Sequence, residues 1–506
     1  MANEVTPIKR ITITETDLTT AASTEESLDV VYVPGLFGIK AISATANVEP
    51  PTDDATFMLN DLFVNTADEK AWICTREYNS DEELDAQFAP VSYFEPIIDP
   101  ADYTDATMLD PQVITSTTAL MNTFGTHYAF VDDGTYGNSL DYAKGLIEEG
   151  LTVLYQCCVK FTEDSEAGYY SMSAVATDLI TAMQGSGADA QAKYESSCFF
   201  AVEDTNEASV KYITTGVHCP IGIVDDTSWE MGTDAVDIFT NMLLLASTRG
   251  DAFALIDAQR GETIKENSDP TKSESLYGLL RNLSSPLPHG EYGAAFASWA
   301  EYRASNSKMV CLPGSFAYLT CYARSIRTNG SNLAIAGVTR GLVSNLLSLD
   351  IPAGERLTNA IADSWQGIND VACVNGITYI RNYGYCIWGN RTLHDNSKET
   401  GSNGLIDSSF LSIRNMLCDL KKRLRNVAMR LLFEQNNDVL WSRFLFGVTP
   451  VLERLKSTAG IANYKIIHIS TDDKTKLKAV IKITTVKPLE QIEIGIVMVD
   501  DNVEVQ

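Results

Sequence analysis

From residue 135 to residue 395 the sequence alternates short apolar runs with stretches of helical periodicity. SLDYAKGLIEEG reads as a helix closed by Gly150, and LTVLYQCCVKF behind it as a buried strand. VKYITTGV (strand), TDAVDIFTNMLLLASTRG (helix ending at Gly250), DAFALID (strand), EYGAAFASWAEYR (helix) and KMVCLPG (strand) follow. Short strands joined through amphipathic helices lie parallel, with helices covering the sheet. The predicted fold class is therefore α/β around a mostly parallel sheet. Taken with its flanks, the 506-residue chain reads as an α+β multidomain protein with more than one core.

The flanks have a different texture. Residues 1–28 form a candidate arm and linker, in which Ile11 and Ile13 alternate with threonines ahead of the polar stretch TTAASTEES. Such a strand cannot bury its apolar side alone and needs a sheet edge. Residues 29–134 open with LDVVYVPGLFG, a strand ending in a Pro34-Gly35 turn, and continue as a loop-rich, β-containing outer domain. Residues 396–499 read as a helix-and-sheet domain. Phe410, Ile413, Leu417, Leu420, Leu424, Val427 and Leu431 form one apolar stripe on a long helix. A second helix runs from Trp441, with Thr449 and Pro450 expected to restart it as N-cap and first helical residue. YKIIHIS, LKAVIKITTV and QIEIGIVMV are three strand patterns, and residues 500–506 form a second exposed, alternating tail that includes Val503 and Val505.

Composition excludes several functions. The chain is 45% hydrophobic and 21% charged, too apolar for a disordered protein. Acidic residues outnumber basic ones 67 to 38, for a net charge of -29, a field that repels phosphate backbones and disfavours nucleic acid as a partner. No apolar run reaches the ~18–20 residues of a membrane span. MANEVTPIKR lacks the apolar core of a signal peptide, so the chain is expected to stay where it is made. The ten cysteines include no C-x-x-C and sit mostly in apolar runs, as buried reduced thiols do.

Catalytic signatures are missing from the sequence. There is no G-x-x-x-x-G-K-[ST], no G-x-G-x-x-G after a strand and no G-x-S-x-G elbow. The five histidines lie far apart and form no H-x-x-x-H pair, so no metal ligand set is predicted. No catalytic residue and no cofactor are expected. Arg249-Gly250-Asp251 spells an adhesion tripeptide, but Gly250 is better explained as a helix C-cap. The glycosylation triplets at Asn282 and Asn390 carry no weight without a secretory signal. One charge cluster stands out in so acidic a chain: Arg414, Lys421, Lys422, Arg423, Arg425 and Arg430, against the single acid Asp419. It is either a face that is solvated or paired with the protein's own carboxylates, or a docking face for an acidic partner.

From about residue 210 onward several segments form a recognisable set. Tyr292 and Trp299 match a Tyr-Ala-Ala…Trp helix, and DAFALID an Arg-Phe-x-x-Leu-Asp strand. Tyr322, Ala323 and Arg324 are in register with a Tyr-Ala-Arg segment. VNGITYIRNYGYCIWGNRTL is the most specific stretch, with Asn375, Ile377, Trp388, Gly389, Arg391, Thr392 and Leu393 on shared positions, and FEQNNDVLWSR, with Trp441, matches a Phe-Glu-Pro-Asn-Asp…Leu-Trp turn. In these segments the sequence resembles the tail sheath proteins of contractile bacteriophages and related injection systems.

The resemblance implies a non-enzymatic virion subunit that forms hexameric rings stacked helically around a tail tube. The sheath would be assembled in the host cytoplasm and would contract to drive the tube through a cell envelope. Its partners would be copies of itself, the tube protein, and baseplate and tail terminator proteins. Arms of neighbouring subunits would add strands to one another, with Ile11, Ile13, Val503 and Val505 pairing between subunits. Lys421, Lys422 and Arg425 become candidates for facing the tube, and Tyr322, Arg324, Asn375, Trp388, Gly389, Arg391 and Trp441 structural determinants. The alternatives left open are an α/β hydrolase-like enzyme and another virion subunit, of tube or capsid type.

Overall fold

In the computed structural model the described residues are 29–35, 41–44, 49–50, 52, 62–65, 70–76, 85–91, 110–124, 139–158, 179–203, 209–216, 231–258, 276–283, 285–303, 309–330, 332–351, 355–366, 372–396, 406–470 and 475–490. Both terminal arms, with Ile11, Ile13, Val503 and Val505, lie outside them, as does the third C-terminal strand pattern, QIEIGIVMV.

The first strands are β1 (Val30–Gly35), β2 (Ala41–Ala44), β3 (Leu62–Asn65), β4 (Lys70–Arg76), β5 (Gln87–Val91) and β6 (Gln112–Ile114). Then come β7 (Thr152–Cys157), β8 (Val210–Thr214), β9 (Phe253–Asp257), β10 (Gly293–Phe296), β11 (Trp299–Arg303), β12 (Met309–Leu312) and β13 (Leu346–Asp350). The last are β14 (Val374–Ile380), β15 (Gly384–Trp388), β16 (Ile461–Ile469) and β17 (Lys478–Thr485). The principal helices are α1 (Ser139–Glu148), α2 (Met231–Arg249), α3 (Gly314–Asn329), α4 (Leu411–Met429) and α5 (Asp438–Ser457).

An eight-stranded sheet in the order β15-β14-β10-β9-β8-β1-β7-β6 forms the centre. Its six inner strands are parallel to their neighbours, and only the edge strands β15 and β6 run antiparallel. Every residue of β1, β7, β8, β9 and β10 is buried. Such strands read as unbroken apolar runs because both faces of a parallel sheet are covered. α1 lies on β1 and β7, α2 on β8 and β9, and α3 and α4 on β9. The predicted α/β class with a mostly parallel sheet is what the molecule has. Among the described residues three further sheets are separate: β12-β11-β13, β2-β3-β4-β5 and the pair β16-β17. β1 and β6, from the segment read as an outer domain, belong to the central sheet.

Three local expectations are corrected. EYGAAFASWAEYR is not a helix: a 3-10 turn, Gly290–Tyr292, leads into β10, and the chain changes sheets at Ala297 and Ser298 to enter β11. Its alanines favour a helix, but tertiary position overrides that preference. β10 needs small residues because a Cβ on Gly293 would stand 2.4 Å from the Leu243 side chain. Pro34 and Gly35 do not turn the chain; they continue β1 opposite Gln156 and Cys157. A proline is tolerated in this inner strand because pairing with β8 has ended at Tyr32, so no ladder bond needs its missing N–H. Pro450 does not restart a helix either. α5 is continuous through it and is capped by Asn437, whose side chain accepts from the N–H groups of Val439 and Leu440. Pro450 and Phe446, whose carbonyl loses its partner to the proline, are both exposed, so water can satisfy that carbonyl.

Candidate assembly site: the C-terminal helix pair and its hairpin

α4 is buried on two sides. Its apolar stripe, Ile413, Leu417, Leu420 and Leu424, packs with Val448, Val451, Leu452 and Leu455 of α5 and with Ile461 and Ile483 of the hairpin, forming a second core. Fully burying each such side chain contributes roughly 1.5–3 kcal/mol. The opposite side carries Arg414, Lys421, Lys422 and Arg425, which bond to residues beside the central sheet, while Arg430 at the end of the helix is exposed.

Lys421 and Lys422 are only 7% and 6% exposed. Lys421 donates to the Tyr292 hydroxyl at 3.1 Å, Lys422 to the Ser209 carbonyl at 2.9 Å, and Arg425 to Asp251 at 2.8 Å. The Arg414 guanidinium lies 4.3 Å from the Tyr292 ring centre. The tube-facing assignment of Lys421 and Lys422 is thereby corrected, since both are buried within the subunit; Arg425 is half-exposed and holds Asp251. Burial lowers the Lys422 ammonium below its ordinary pKa, and Asp29 and Asp251 offset this only in part. The Arg249-Gly250-Asp251 tripeptide is also internal: Asp251 is buried against Arg249 at 3.3 Å and Arg425, and Gly250 caps α2 at φ 68°.

Behind α4 lies an ion cluster the sequence reading did not single out. Lys211 of β8 donates to Asp419 and to the Tyr322 hydroxyl, each at 2.5 Å, and Asp29 stands 3.7 Å away. Tyr322 donates in turn to Asp29. Burial works against the Lys211 charge, but Asp29 and Asp419 outweigh it and raise its pKa. The signal was present: a lysine inside the apolar strand VKYIT must find a partner. Asp29 is the last residue before β1, so the root of the N-terminal segment is tied through Lys211 to the C-terminal helix.

Other motif residues meet at a second junction. Asn375 donates to the carbonyls of Ala295 and Arg391 and accepts from the Arg391 N–H, at 2.9–3.0 Å. Gly389 lies against it at φ 157°, where a Cβ would be 2.5 Å from Asn375 Oδ1. Arg391 makes two 2.7 Å bonds to Glu490 and covers the Phe410 ring. The chain leaving β17 is thus clamped to the body just before residue 491. Trp388 donates to Asp363 at 2.8 Å, and Arg324 bonds Ser344 and the Thr320 carbonyl. Trp441 stacks on His468 at 4.4 Å and on Phe444 at 5.5 Å, holding α5 to β16.

These seven residues hold elements together and do not converge on a reactive centre. Among the described residues no group of three or more His, Cys, Asp or Glu could hold a metal ion, and no helix is long and apolar enough to cross a membrane. The central sheet's buried carboxylate, Asp257, accepts from the Ser315 N–H at 2.7 Å and its hydroxyl at 2.5 Å, capping α3 from outside the helix. The hairpin is different in kind. Among the described residues it is a sheet of only two strands, and two strands alone are marginal without further pairing or packing.

No sequence-family profile and no curated protein matches the chain. Solved structures do. One is a chain of the anti-feeding prophage (AFP) baseplate, solved with 6-fold symmetry: TM-score 0.52, 14% identity, 98% of this chain and 99% of that one covered. Another is the AFP helical sheath in its contracted state, at TM-score 0.51 and 12% identity, covering 97% and 99%. A third is the sheath complex of PVC, an extracellular contractile injection system, also contracted, at TM-score 0.50 and 14% identity, covering 98% of each chain. Nearly end to end, this chain therefore has the fold of the sheath proteins of contractile injection systems.

Proposed function

We propose that this protein is the sheath subunit of a contractile, phage-tail-like particle. Copies polymerise helically around a tail tube, engage baseplate and terminator proteins at the ends, and contract to drive the tube through an envelope. In this reading it is a component of the particle, assembled in the host cytoplasm, and not an enzyme. The observation that carries it is the exposed β16-β17 pair on a fold shared with contracted sheaths. Its edges offer main-chain groups to further strands. The terminal sequences around Ile11 and Ile13, and around Val503 and Val505, alternate as added strands do. Contraction would then draw on the difference in interface energy between two packings of the same subunits, linked by hinged arms.

Electron microscopy of the purified protein tests this. Wide hollow cylinders are expected from the full chain and none from a chain lacking residues 1–28. Small discrete particles from the full chain, or normal cylinders from the truncated one, would overturn the arm-linked sheath.

A further inference from the structure

Lys211 of β8 and Asp419 of α4 come from distant parts of the chain and meet in a site closed to water. The side chains are 0% exposed for Lys211, 2% for Asp419 and 3% for Asp29. Lys211 Nζ donates to Asp419 Oδ1 and to the Tyr322 hydroxyl, each at 2.5 Å, and Tyr322 donates to Asp29. A continuous hydrogen-bonded path thus runs from the amine through Tyr322 to a second carboxylate. The walls are aromatic. Nζ lies 4.7 Å from the Tyr322 ring centre and 5.7 Å from that of Tyr212, and the Tyr212 ring meets Tyr318 and Tyr322 edge-on.

A buried ion pair has given up the hydration of both its charges. An ammonium and a carboxylate held in contact have another outcome: they can lose water and become a neutral amide. In bulk water the hydration of the ions and the abundance of water oppose that reaction, and this site withholds both. The surrounding charges favour it too. Lys422 lies in the field of Asp29 and Asp419. Removing one lysine charge and one aspartate charge together leaves Lys422 and Asp29 as a balanced pair. Lys193 and Asp237 are the contrast: their side chains are 28% and 24% exposed, so their charges stay hydrated.

We propose that Lys211 and Asp419 condense into an intramolecular amide, with Tyr322 and Asp29 as the proton relay. One proton crosses from Nζ to Asp419 Oδ1, leaving a neutral amine against a neutral acid. The nitrogen lone pair attacks Asp419 Cγ and forms the C–N bond. A second proton passes from the nitrogen to the Tyr322 oxygen as Tyr322 hands its own to Asp29. Asp29 returns a proton to the departing Oδ1, the C–O bond breaks, and water leaves. One ammonium and one carboxylate become one amide and one water, with no oxidant, reductant or cofactor. A single turnover per chain suffices, so the predominance of the ionised pair sets the rate and not the outcome. The ion pair brings β8 and α4 together as the chain folds, and the amide then fixes them. Under the sheath reading above, load passing between the second core and the central sheet crosses a covalent bond; the chemistry itself does not rest on that reading.

Mass spectrometry of the denatured, unassembled full-length chain tests this, whatever the protein assembles into. The native chain is expected to be lighter than its sequence mass by one water, and a digest to yield one branched peptide containing both Lys211 and Asp419. Lys211→Arg keeps the charge but cannot form this amide, and is expected at its full sequence mass. Tyr322→Phe keeps the ring and removes the relay, and is expected to slow the appearance of the lighter species after synthesis by about a hundredfold. If either variant fails to fold, the native mass and the branched peptide still decide. A native chain at its full sequence mass overturns the proposal. So does a missing water that maps elsewhere, such as a backbone succinimide, which mild alkali opens while the amide survives. A Tyr322→Phe chain that condenses at the native rate overturns the relay.

Discussion

At the scale of single residues, Asp257 shows how the central sheet uses a charge. Burial pushes its carboxyl up to about 7, against the opposing pull of two hydrogen bonds from Ser315. An unfolded Asp titrates near ~4, so between ~4 and about 7 the folded protein binds the proton more tightly. The contribution of Asp257 to stability is therefore fully present below the unfolded pKa and is lost as pH rises through about 7. Asp257→Asn keeps an acceptor for the Ser315 N–H without the charge. Its melting temperature is expected to fall less between pH 5 and pH 8 than that of the native protein; equal slopes would show that this carboxylate stays ionised throughout. The DAFALID strand was legible in the sequence, but the titration was not, because it depends on Ser315 arriving from another element.

At the scale of elements, α4 is the instructive case. Its apolar stripe at three- and four-residue steps is plain in the sequence and packs as that pattern requires. Its basic side reads as a surface only while the central sheet is out of view; every residue from Leu411 to Lys422 is buried. Lys421→Glu and Lys422→Glu are each expected to lower the melting temperature of the unassembled subunit by several degrees, since each would bury an acid where an ammonium now donates. Unchanged melting with weakened attachment to the tube would restore the outward assignment. The alanine-rich segment at β10 failed in the reverse sense: its local preference is helical, and its place between β9 and β14 decides otherwise. Pro450 shows that a breaker on the exposed side of a helix need not end it.

At the scale of the whole molecule, Lys211 joins three parts of the chain: the residue before β1, the middle of the sheet and the helix that carries the second core. Breaking a buried pair by removing one partner typically costs about 3–5 kcal/mol. Asp419→Ala is expected to fall in that range by denaturant unfolding, and Asp29→Ala to cost less, since its carboxylate stands 3.7 Å from the lysine and Asp419 remains. Equal costs would mean that the lysine is shared evenly. Because Asp29 is the root of the N-terminal segment, any pull on that segment enters the molecule at an inner strand braced on both sides.

The sequence by itself determined the α/β class, most of the inner strands and the long C-terminal helices. Each of these follows from periodicity and capping within a short window of chain, as at Gly150 and Gly250. Only the tertiary structure decided which polar residues face inward. Lys211 with Asp419, Lys422 with Ser209 and Arg391 with Glu490 join residues roughly a hundred or more positions apart. Burial and ion pairing are properties of what surrounds a side chain, and a window of neighbouring residues does not contain those surroundings.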